Sequence, residues 1–129
     1  MKAILNDAVL KQCIYELNQW GRLLAFLKEE NAFYKSRLSE VVPDIEDEYS
    51  LLAAEEFNEQ FLLQDNMIDF LSEELKKHDR LLQKDFYIDG ASIKGIIKSQ
   101  RVLSRNFQNA EILFSRTKKS FSVYLLSLL

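Results

Sequence analysis

The chain carries one histidine and one cysteine, so chemistry needing several imidazole or thiolate ligands has little to draw on. A di-iron helical bundle takes a Glu-x-x-His from each of two helices plus two further inward glutamates. Here His78 stands alone, with Leu75 three residues before it and Glu74, four before it, pointing off the apolar seam. Glu55-Glu56, Glu59 and Glu73-Glu74 are paired carboxylates of the kind that serve acid–base work, but all fall off the seam of an acidic helix, where a solvated face is expected. Cys13 sits on the seam between Leu10 and Leu17, with no histidine near it in sequence, and reads as a small core filler. Gly90 and Gly95 lack the Lys-Ser/Thr of a phosphate loop. These patterns point to a protein that is not an enzyme and that needs no metal or cofactor.

Two other sets of residues suit binding. Lys94, Lys98, Arg101 and Arg105 follow steps of four, three and four, which places them on one outward stripe of a helix. Such a stripe could track phosphates or meet an acidic protein surface. It has no interleaved aromatics for base stacking, so nucleic-acid binding there would be backbone-only and salt-sensitive. The second set is apolar. Leu23, Phe26 and Phe33 on the first helix, and Leu63, Met67 and Phe70 on the second, lie beside the seam rather than on it. Part of this surplus widens the core. Phe26, Phe33 and Phe70 take the more outward heptad position and are harder to absorb.

These residues need elements to hold them, and the 129-residue chain offers three long ones. Apolar residues make up 47% and charged residues 29%, with only three glycines and one proline, too little turn chemistry for a β-rich domain. Pro43, within Val41-Val42-Pro43-Asp44, ends one helix and suits the first position of the next, with Asp44, Glu46, Asp47 and Glu48 near its positive dipole end. Asp89-Gly90 supplies a second turn, and Ser92 suits an N-cap. The expected helices cover about 5–40, 43–86 and 92–128, in one domain spanning 1–129.

Seam residues recur in alternating steps of three and four in all three segments: Leu17, Leu24 and Leu38 in the first, Phe61, Ile68 and Leu82 in the second, Leu103, Phe114 and Phe121 in the third. A sustained heptad keeps its stripe on a partner through left-handed supercoiling, and short connections make consecutive helices antiparallel. The expected fold is all-α: an elongated, left-handed, up-down-up antiparallel three-helix coiled-coil bundle. In general form, though in no sequence motif, this resembles spectrin-type three-helix repeats.

Asn31, Gln64, His78 and Gln100 interrupt the seam with polar groups. Reflecting the first two helices about Pro43 and the last two about Asp89 groups them in layers: Asn31 with Tyr124, Gln64 with Trp20, and His78 with Gln100 and Asp7. Such layers fix register in coiled coils; a small polar site near His78 is the alternative. Gly21 beside Trp20 suggests a close approach or a gentle kink.

Charge is segregated. Residues 1–42 carry six bases and five acids, 43–90 four and fourteen, and 91–129 seven and one, within a net charge of −3. Attraction between an acidic second and a basic third helix would help select the antiparallel partner. The early Asp7, the lack of an apolar run long enough to span a bilayer, and the single cysteine suit a cytoplasmic protein without a membrane span. The expected function is a helical interaction or scaffold module. It self-associates, as a dimer first of all, or takes a partner helix through the face formed by the first two helices. The alternative is a nucleic-acid or polyanion binder using the third.

Overall fold

The computed structural model describes residues 3–4, 7–84, 87–88 and 90–129, with side chains over 8–83 and 93–129. Three helices dominate: α1 (Asp7–Val41), α2 (Glu48–Lys84) and α3 (Gly90–Ser127). At about 1.5 Å per residue each is roughly 50–57 Å long, so the molecule is a rod. Two short strands, β1 (Ala3–Ile4) and β2 (Tyr87–Ile88), pair antiparallel beside the α2–α3 turn. They are the sole departure from the expected all-helical chain among the described residues, and they form because the start of α1 and the α2–α3 turn share one end of the rod.

Contacts between helices establish the up-down-up order. Gln100, early in α3, hydrogen-bonds to His78 late in α2 and to Glu16 early in α1. At the other end Tyr124, late in α3, donates to the Ser50 carbonyl early in α2 at 2.7 Å. The seam residues are the core: Leu10, Cys13, Leu17, Leu24, Leu27 and Leu38 of α1 meet Ala54, Phe61, Ile68, Leu71 and Leu82 of α2, and Ile96, Leu103, Phe107, Ala110, Phe114 and Phe121 of α3. At the turn end the core is aromatic, with Phe61 and Phe121 perpendicular at 5.1 Å and Tyr34, Phe57 and Tyr124 packed around them. Burying these rings ties three helices at the one end where α1 and α2 are joined by a short connection.

That connection differs from expectation. Val42–Asp44 form a 3-10 turn with Pro43 near its start, and α2 begins only at Glu48. The cap is Asp47, whose carboxylate accepts the Ser50 N–H at 2.9 Å. This bond holds the Asp47 carboxyl below the usual carboxylate range. The α3 helix likewise begins at Gly90, two residues before Ser92. Gly21 permits no close approach: a Cβ built there meets nothing within 4 Å.

Candidate functional site: a helical interaction face

The later start of α2 moves the register between α1 and α2 by about ten residues from the reflection about Pro43. Asn31 therefore meets Gln64, not Ala54 and Tyr124. Asn31 is 1% exposed; its amide donates to the Phe61 carbonyl at 2.8 Å and to Asp65 at 2.6 Å, and its oxygen accepts from the Gln64 amide at 2.9 Å. Asp65 continues to Lys35 at 2.5 Å, tying the buried layer to the surface. Trp20, expected against Gln64, instead stacks on Phe107 at 5.2 Å with the rings nearly parallel.

Between α2 and α3 the reflection about Asp89 holds. His78 and Gln100 are buried and joined at 2.5 Å, and Ala54 shares a cluster with Tyr124. The Gln100 amide donates to Glu16 at 2.9 Å and to the Cys13 carbonyl at 3.3 Å. With its N–H groups so engaged, the Gln100 oxygen must accept, so His78 Nε2 carries the hydrogen of their bond. The Asp7 side chain, expected in this layer, lies outside the described residues. Burial and the nearby Glu16 charge push the Cys13 thiol above its ordinary pKa. No buried side-chain polar atom among the described residues lacks a partner. Among the described residues no group of His, Cys, Asp and Glu is placed to hold a metal ion.

The apolar candidates sit on the surface, but in a different relation from that expected. Phe26 is 54% exposed, Phe33 63%, Leu63 57% and Phe70 57%. Leu23 and Met67 are partly buried against the central core, so they widen it. The two rows do not adjoin along the α1–α2 junction. That junction is lined by Asn18, Gly21, Arg22 and Ala25 of α1 with Leu75, Lys76 and Asp79 of α2. Leu23 and Phe26 instead border a cleft of about 210 Å³ between α1 and α3, with Glu30, Tyr34, Glu111 and Lys118 around it and Asn31 and Gln64 at its floor. On α2, Glu74, Lys77 and Leu81 line the cleft towards α3. Met67 shares a heptad position with Glu74 and Leu81, and Leu63 and Phe70 share one with Lys77. The rows thus flank α3 on opposite sides, and the single groove expected between the first two helices becomes two separate faces.

Across the α1–α3 cleft Lys118 reaches Glu30 at 3.2 Å, and the Tyr34 hydroxyl donates to the same carboxylate at 3.1 Å. Burial, then the Glu30 bond, raises the Tyr34 phenol above its usual pKa. The Glu30 bond also raises Lys118. Inter-helix ion pairs among the described residues join α1 to α2 and α1 to α3, and none joins acidic α2 to basic α3. Lys94, Lys98, Arg101 and Arg105 are all exposed on α3, and none is in an ion pair with a described acid. Lys98 borders the same cleft as Lys77 of α2.

Among the described residues no helix is long and apolar enough to cross a membrane. No protein-family model, curated protein or solved structure matches this chain.

Proposed function

We propose that this protein is a non-enzymatic helical interaction module that associates with itself, or with a helix of a partner, through the apolar rows beside α3. The observation that supports this is the exposure of Phe26, Phe33, Leu63 and Phe70, each more than half open, on a rod whose buried polar side-chain atoms, among the described residues, are already paired. Four large side chains left half in water on two neighbouring helices are surface of the kind that associates. Leaving each about half open forgoes roughly 1–2 kcal/mol of burial that a partner would recover in part. Sedimentation of the wild type at high micromolar concentration tests the self-association arm. A dimer that Phe26→Asp or Phe70→Asp dissociates, with helicity at 222 nm unchanged, supports it. A clean monomer counts against self-association and leaves only the partner helix.

A second reading has its own support in the exposed cations of α3, none of them in an ion pair with a described acid. In it Lys94, Lys98, Arg101 and Arg105 bind a polyanion. Fluorescence anisotropy with a labelled oligonucleotide at low salt tests it: binding must disappear when all four are changed to glutamate, and absence of binding by the wild type removes the reading.

A further inference from the structure

We infer that the occupant of the α2 face is a second copy of this chain, packed antiparallel about a two-fold axis that crosses α2 near Met67. This rests on the self-association reading above. One heptad position of α2, on the side towards α3, reads Glu56, Leu63, Phe70, Lys77, an acid, two apolar residues and a base at intervals of seven. All four are exposed. Successive members are about 10.5 Å apart, so the row is about 32 Å long. Turned end for end, the row is its own complement. Leu63 meets Phe70 of the second copy and Glu56 meets its Lys77, and the two-fold repeats each contact. Met67, one position towards the core, falls at the axis.

The parallel alternative sets Glu56 on Glu56 and Lys77 on Lys77, which like-charge repulsion disfavours. The other exposed row lacks this property. The heptad position of Phe26 and Phe33 on α1 reads Gln19, Phe26, Phe33, Glu40, with no cation to answer Glu40, which is already engaged by Arg37 at 3.0 Å. Among the described residues the ion pair of Lys77 within one copy is a long one to Glu74, at 3.4 Å with the ammonium open to solvent, so the side chain can turn outward. Charge complementarity therefore selects the α2 row and its orientation together.

Zero-length carbodiimide cross-linking of the wild type, read by mass spectrometry, tests the arrangement. Glu56 and Lys77 stand about 32 Å apart on one helix and equally far apart in a parallel pair, so an amide between them forms only in the antiparallel dimer. Sedimentation supplies the second arm. Glu56→Lys and Lys77→Glu are each expected to weaken the dimer about tenfold, and the two together to restore it, with circular dichroism confirming that every variant stays helical. A dimer with no Glu56–Lys77 cross-link, or a double variant no tighter than the singles, overturns the inference. So does dissociation by Phe26→Asp while Phe70→Asp leaves the dimer whole; all three of these outcomes leave self-association standing. A wild type that stays monomeric overturns the inference and the self-association reading together.

Discussion

Changing Asn31 to leucine removes a polar group of similar size from the middle of the rod and leaves its partners behind. Asn31 donates to Asp65 and to the Phe61 carbonyl and accepts from Gln64, and both amides are almost wholly buried. The Phe61 carbonyl keeps its helical hydrogen bond, and Asp65 keeps Lys35 and some solvent. The Gln64 N–H has neither, and an orphaned buried donor costs about 1–3 kcal/mol. Leucine recovers some of this through its apolar surface, so the single variant is expected to lose about 1–3 kcal/mol. For a chain of 129 residues that lowers the melting temperature by roughly 4–11 °C. Gln64→Leu in the same background removes the orphan, and replacing both partners by apolar groups is expected to return most of the loss. Urea unfolding followed at 222 nm, at one fixed protein concentration, measures the four corners of the cycle. A coupling below about 0.5 kcal/mol would show that Asn31 and Gln64 do not hold each other as drawn here.

Three further outcomes follow from other parts of the rod. Gly21→Ala puts a methyl group where nothing lies within 4 Å, so it should stabilise the protein by about 0.5–1 kcal/mol in the same denaturation assay. The Cys13 thiol, buried and raised above its ordinary pKa, should react with a disulfide reagent far more slowly in the native protein than in denaturant at pH 8, and native labelling as fast as a free thiol would contradict its burial. Because the Asp47 carboxyl titrates below its ordinary range, its stabilising effect is complete above that range and disappears as pH falls through the depressed value. Asp47→Ala should therefore lower the melting temperature at pH 7, and the gap from wild type should close in strong acid.

The seam was legible in the residue order because burial follows periodicity. Residues in alternating steps of three and four stack on one face of a helix, and that face is the core from Leu10 to Phe121. The pairing of His78 with Gln100 was legible too, since the α2–α3 turn is short and its centre near Asp89 acts as the mirror. The α1–α2 register was not. Pro43 marks where α1 must stop, but it says nothing of how many residues the chain spends turning. The structure spends them through Asp47, and the Asn31 layer shifts by about ten residues as a result.

The deeper division lies in azimuth. Residue order determined that α1 and α2 each carry an apolar row beside the seam, because side-chain direction around a helix is set by spacing alone. It could not determine which neighbour each row faces. A third helix can close on either side of a helical hairpin with the same seams buried, and only tertiary packing chooses the side. Here α3 settles between the two rows, so that Leu23 and Met67 are drawn partly into its core contacts while Phe26, Phe33, Leu63 and Phe70 are left half open on either side of it.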